Sequence, residues 1–134
     1  MHILIAPDSF KESLSAAQVA EAIKLGFSKV YPHASYDLLP LGDGGEGTVE
    51  SLTDALSLDV KHTYVTGPFG DKVKVTYAMK DDLAVFEMAA IVGLGSIPHE
   101  KRNPLLLKTE GIGELIVELV QNGAQRILIG VGGS

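Results

Sequence analysis

Short apolar runs that stop abruptly at glycine, proline or aspartate, with helical spacing between them, constrain this chain more than any other feature. Residues 2–6 carry Ile3-Leu4-Ile5-Ala6 and end at Pro7-Asp8, which predicts a strand running into a loop. A helix follows: Ser15-x-x-Gln18 is a capping-box pattern, and Val19, Ile23, Phe27 and Val30 recur at helical spacing. Tyr31-Pro32 is the expected stop, because the residue before proline disfavours the α region. The next apolar run, residues 36–41, empties into Gly42-Asp43-Gly44-Gly45-Glu46-Gly47, and a second helix is expected from Thr48 with Val49, Leu52 and Leu56 inward.

The middle of the chain has a different period. Val60, His62 and Tyr64 alternate, Gly67-Pro68-Phe69-Gly70 turns, and Val73, Val75, Tyr77 and Met79 alternate against Lys72, Lys74 and Thr76. Asp81-Asp82 leads into Leu83-Ala84-Val85-Phe86, a continuous apolar run of the kind buried on both faces. Residues 59–90 therefore read as an antiparallel strand meander set into a βα framework. Ile112, Leu115, Ile116, Leu119 and Val120 share one helical face, with Gly123 where a C′ glycine belongs. Residues 126–131 form a last, buried strand before Gly132-Gly133-Ser134. The pattern predicts an α/β fold: a doubly wound, mostly parallel sheet with helices on both faces. A strand feeding a glycine loop usually opens a helix, so residues 1–134 are expected to be the amino-terminal part of a larger protein.

Composition excludes several classes of function. The chain has 134 residues, 46% hydrophobic, enough for a real core. The absence of cysteine removes disulfides and thiolate metal sites. A net charge of −6 with no basic stripe argues against a nucleic-acid partner. No apolar stretch approaches the roughly 20 residues of a membrane span, so no membrane partner and a cytoplasmic location are expected.

Three loops could carry chemistry, and all follow predicted strands, where open α/β sheets bind their ligands. Pro7-Asp8-Ser9-Phe10-Lys11-Glu12-Ser13 puts an acid, a hydroxyl and an ammonium group within four positions. Phosphoryl transfer needs such a carboxylate and such a cation; a capped turn with a solvated lysine fits the same residues. In Asp43-Gly44-Gly45-Glu46-Gly47, two carboxylates flank two glycines ahead of a helix, which could hold Mg²⁺ and approach an anion. By spacing alone, an acidic turn capped by Thr48 fits equally. Gly130-Val131-Gly132-Gly133-Ser134 matches neither common nucleotide-binding glycine motif; an anion nest and a plain turn both remain. Glu87 ends a buried run and is costly there unless paired. Arg102-Asn103-Pro104 could present a planar fork to a carboxylate or phosphate. His2, His33, His62 and His99 are scattered without ligand spacing.

Together these segments resemble the bacterial type I glycerate kinase family. The matching stretches include Ile5-Ala6-Pro7-Asp8-Ser9-Phe10-Lys11-Glu12-Ser13-Leu14-Ser15, Asp43-Gly44-Gly45-Glu46-Gly47-Thr48 and Glu87-Met88-Ala89-Ala90 with Gly93-Leu94. Lys101-Arg102-Asn103-Pro104-Leu105, Gly113-Glu114-Leu115-Ile116 and Ile129-Gly130-Val131-Gly132-Gly133-Ser134 follow in the family's order. Ile91-Val92 departs from a small residue followed by serine, and Gly42 from alanine or serine.

The resemblance implies a much longer, two-domain α/β enzyme that transfers a phosphoryl group from ATP, with Mg²⁺, to D-glycerate, usually giving 2-phosphoglycerate. On that reading Asp8, Lys11 and Asp43 are catalytic, with Asp43 also the metal ligand. Ser9, Glu46, Glu87, Arg102 and Asn103 bind substrate, with Arg102 gripping the glycerate carboxylate. Gly44, Gly45, Gly132, Gly133 and Ser134 form the phosphate loop, and residues 1–134 alone are expected to be inactive. The rival expectations are a metal-dependent phosphohydrolase using the same carboxylates and a non-catalytic module for small anions.

Overall fold

The computed structural model describes residues 1–10 and 13–134, as two compact units, Met1–Asp43 and Gly44–Ser134. The first unit is a single β-α-β crossover. Strand β1 (His2–Ile5) leads to helix α1 (Ala16–Ser28) and back to β2 (Ser35–Leu38), which pairs parallel with β1 from His2↔Ser35 to Ile5↔Leu38. The capping box is formed: Ser15 Oγ accepts from Gln18 N at 3.3 Å, and Ser15 N donates to Gln18 Oε1 at 2.9 Å. Such a cap stabilises a helix by about 1 kcal/mol. The helix ends at Ser28, ahead of Tyr31-Pro32, and the chain winds on through turns as Val30 N and Tyr31 N both donate to Phe27 O. Phe27 and Val30, expected inward, are consequently exposed; Ile5, Ala16, Val19 and Ala20 are buried.

The second unit opens with α2 (Thr48–Leu56) and continues through β3 (Asp59–Thr66), β4 (Lys72–Lys80) and β5 (Leu83–Glu87). A four-residue helix α3 (Ala89–Val92), two short 3₁₀ turns, α4 (Glu110–Gln121) and β6 (Arg126–Gly130) complete it. The sheet order is β3-β4-β5-β6. β3, β4 and β5 form the expected antiparallel meander, and β6 joins β5 in parallel, pairing Leu83↔Arg126 through Glu87↔Gly130. Among the described residues, the fold is thus α/β with a two-stranded parallel and a four-stranded mixed sheet, not one mostly parallel sheet.

Strand periodicity builds the core of this unit on both sheet faces. Val75, Tyr77 and Met79 of β4 and Ala84 and Phe86 of β5 pack with Leu115 and Leu119 of α4. Ala78 and Val85, one residue out of phase, pack with Val49 of α2 and Leu58 on the opposite face. Helices therefore cover both faces here, as expected. Gly123, with φ +98°, follows the Asn122 C-cap of α4.

Three expected faces differ. In β3 it is Val65 that is buried, while Val60, His62 and Tyr64 are exposed, since choosing the other phase of a period-2 pattern swaps the faces. Leu56 is exposed at the last turn of α2. β6 is the edge strand of its sheet, so Leu128 and Ile129 are exposed instead of buried.

Candidate functional site

Parallel pairing brings the two acidic loops of the first unit to one end of its sheet. β1 and β2 finish together at Ile5 and Leu38, and single hydrogen bonds continue the pairing, Leu39 N to Ile5 O at 2.8 Å and Leu41 N to Pro7 O at 2.9 Å. Asp8 and Asp43 follow directly and are both exposed. Asp8 Oδ1 accepts from Ser9 N at 2.7 Å, which holds the carboxylate against its own turn. Phe10 and Leu14 exchange backbone hydrogen bonds at 2.9 and 3.0 Å. The expectation for Lys11 lies outside the described residues.

In the second unit the two glycine loops, far apart in sequence, lie against each other. Gly132 N donates to Gly44 O at 2.9 Å. A Cβ on Gly130 would stand 2.5 Å from Gly44 O, and one on Gly132 would stand 2.6 Å from Gly45 N. These glycines are therefore required by backbone-on-backbone approach. The loops are tied further by Met88 N to Gly130 O at 2.8 Å, Leu94 N to Gly133 O at 2.9 Å, and Gly44 N to Thr48 Oγ1 at 3.0 Å. The N–H groups of Gly44 and Gly132, two of the glycines expected to form an anion loop, are thus engaged inside the protein. Gly133 and Ser134 are exposed, with the Ser134 hydroxyl donating to Val131 O at 2.9 Å. Gly45 is buried and Glu46 exposed.

Glu87 stands at the end of β5 opposite Gly130 and is only 8% exposed. Its Oε1 accepts from Val49 N at 2.7 Å, at the start of α2. Burial pushes its carboxyl above the ordinary range; the amides of Val49, Thr48 and Gly47 pull it back, and the charge of Glu46 pushes it further up. A cavity of about 380 Å³ lies beside it, lined by Gly47, Glu50, Asp54, Thr76 and Glu87 among others. Glu50 and Asp54 were missed in the sequence, although their i,i+4 spacing on α2 was visible there.

Arg102, expected to bind substrate, is engaged within its own segment. Its Nε donates to Ile97 O and its terminal nitrogen to Leu94 O, both at 3.0 Å, so the fork clasps the protein's own carbonyls. Asn103 Oδ1 accepts from Leu105 N at 3.1 Å, an Asx turn within the same loop. The sequence could not show this, because backbone carbonyls accept from a guanidinium as a carboxylate does.

Residues 3–134 match the model described as the glycerate kinase family. The chain belongs to that family. It is 56% identical over 134 residues to a glycerate kinase of Neisseria meningitidis serogroup B, covering 100% of this chain and 36% of that relative. It is 49% identical over 136 residues to the glycerate 2-kinase of Escherichia coli, with the same coverage of 100% and 36%. A crystal structure of a candidate glycerate kinase 2 from Salmonella typhimurium superposes with a TM-score of 0.79 at 48% identity, covering 100% of this chain and 36% of that one. The chain thus spans 36% of the length of these family members. No helix among the described residues is long and apolar enough to cross a membrane.

Proposed function

We propose that the complete protein is a cytoplasmic, ATP-dependent glycerate kinase that converts D-glycerate to 2-phosphoglycerate. The observation that carries this reading is the family match across residues 3–134, with identity near one half to relatives named for that activity. The name of the Escherichia coli relative supports the 2-hydroxyl as acceptor. The longer protein on this reading has two domains and a doubly wound sheet, with residues 1–134 its amino-terminal part. Its partners are glycerate and nucleotide, with no nucleic acid or membrane.

In the transfer, the glycerate hydroxyl oxygen replaces the β,γ-bridging oxygen on phosphorus, its proton passes to a carboxylate, and ADP is the second product. Asp8, braced by Ser9 N, orients the hydroxyl and receives the proton. Lys11 counters the charge of the moving group, and the Ser9 hydroxyl and Glu46 bear on the substrate. The exposed Gly133 and Ser134 remain for an anion once Gly44 and Gly132 are discounted.

No three acidic or imidazole side chains converge as a metal cage among the described residues. Mg²⁺ carried with a nucleotide needs only one or two carboxylates, and the exposed Asp43 suits that chemistry. When bound, the ion neutralises charge on the phosphates. Arg102 serves as a loop clasp on this reading, with Asn103 shaping the same turn.

A coupled assay of the complete protein with ATP and Mg²⁺, with and without D-glycerate, tests the proposal. ADP release that requires D-glycerate is expected, with 2-phosphoglycerate as product. Release without glycerate would identify a phosphohydrolase, and anion binding without turnover a binding module. Residues 1–134 alone are expected to show no turnover in the same assay.

A further inference from the structure

We infer that Glu87 is a positioning residue: its carboxyl group closes the amino terminus of α2 as a built-in acceptor and thereby fixes the glycine loop of residues 44–47. The inference rests on the kinase reading above, and it replaces substrate contact as the role of this side chain.

Helix α2 has no cap of its own. Gly47, at its N-cap, has no side chain to offer. The Thr48 hydroxyl accepts from Gly44 N, so it is turned back to the loop. The open amides of a helix start attract an acceptor, and an anion most of all. Glu87 supplies one from 38 residues away, its Oε1 at 2.7 Å from Val49 N. The amides of Thr48 and Gly47 also act on the same carboxylate.

Glu87 is the buried charged side chain among the described residues, and burial of an acid is costly unless it is held in this way. A continuous path of hydrogen bonds then leads outward. Glu87 holds the first turn of α2, Thr48 in that turn holds Gly44, and Gly44 O holds Gly132 N. The loop that carries Glu46 is thus set by the Glu87 side chain. An added phosphate would find the α2 terminus already filled.

Steady-state kinetics and thermal melting of the complete protein test this with Glu87→Ala and Glu87→Gln, in sodium formate and in sodium chloride at equal ionic strength. Losing the cap should lower kcat by roughly ten-fold in Glu87→Ala while both KM values stay within about three-fold. Formate should restore part of that kcat and raise the melting temperature of Glu87→Ala alone. Glu87→Gln keeps the volume and one oxygen that can accept from Val49 N, but replaces the second oxygen with an N–H donor beside the Thr48 and Gly47 amides; it should lose part of kcat and gain nothing from formate. If Glu87→Ala does not fold, Glu87→Gln decides, and wild-type kinetics and melting in it would overturn the inference. A large rise in KM for glycerate at unchanged kcat would also overturn it, as would a formate response no different from chloride. An inactive parent protein would strike the kinase reading alone, since formate-dependent melting still judges Glu87.

Discussion

In residues 1–43 the loops after β1 and β2 end in the exposed carboxylates Asp8 and Asp43, in a unit whose buried apolar side chains are Ile5, Ala16, Val19 and Ala20. In residues 44–134 the loops after β5 and β6 are laced by backbone hydrogen bonds, and the sheet carries an apolar cluster on each face. The first unit carries its two strand-end carboxylates at exposed positions. The second holds its groups in fixed internal pairings, including Glu87, Gly44, Gly132 and Arg102. Apolar burial at about 25 cal/mol per Å² favours the second as the stable platform. A similar strand-end location thus goes with exposed carboxylates in one unit and internally paired groups in the other.

The largest expected effect falls on the exposed side of that contrast. Asp43→Asn in the complete protein should lower kcat by about 10²–10⁴-fold, while its melting temperature stays near the parent's because no core side chain changes. Unchanged kcat with a lower melting temperature would place Asp43 with the architectural group.

Gly132→Ala comes next and should behave in the opposite way. Its Cβ would stand 2.6 Å from Gly45 N, so backbone must move. Overpacking of this kind costs about 1–3 kcal/mol, read as a lower urea midpoint. A variant of parental stability would show that the two glycine loops are not locked together.

Arg102→Ala removes two hydrogen bonds to the carbonyls of Leu94 and the buried Ile97 and should cost about 1 kcal/mol of stability, with KM for glycerate unchanged. A rise in that KM of about ten-fold, worth about 1.4 kcal/mol, would return Arg102 to the substrate.

The smallest effect is a pH dependence. A hydrogen bond from Arg126 holds the Asp82 carboxyl below the ordinary range, and the Thr66 hydroxyl and amide do the same for Glu114. A pKa lower in the folded state gives stability that is present above the unfolded value and lost as pH falls through the folded one. Glu87 has the opposite sign: its raised pKa gives stability that is present at low pH and lost as pH rises through the folded value. Urea melts at about pH 5 and about pH 3 should therefore show a smaller acid loss in Asp82→Asn than in the parent. Equal losses would leave Asp82 without a role in acid stability.

Local signals in the sequence were legible where local physics decides the structure. The Ser15–Gln18 box, the alternation of β4, the doubly buried β5 and the Gly123 helix stop all stand where the spacing put them. The inward face of β3 was not legible, because Val60, His62 and Tyr64 and their neighbours Thr63 and Val65 each satisfy a period of two. Nor was the partner of each glycine. Gly44 and Gly132 read as anion loops because a glycine needed by another backbone looks the same in sequence as one needed by a phosphate.

One small feature at the far end of the sheet bears on how the chain reaches this arrangement. Asp82 accepts at its backbone oxygen from Gln125 N and Arg126 N, and its carboxylate takes both forks of Arg126, at 2.7 and 3.1 Å. The contact closes 44 residues of chain, a separation that delays pairing during folding. In β6 it is Ile127 that packs against the core, while Leu128 and Ile129 are exposed. The aspartate–arginine pair fits that register, because it is satisfied only when Leu83 meets Arg126. A slip of two residues would put Leu128 or Gly132 opposite Glu87 in place of Gly130. The pair thus agrees with the register that carries Gly130 to the position beside Gly44.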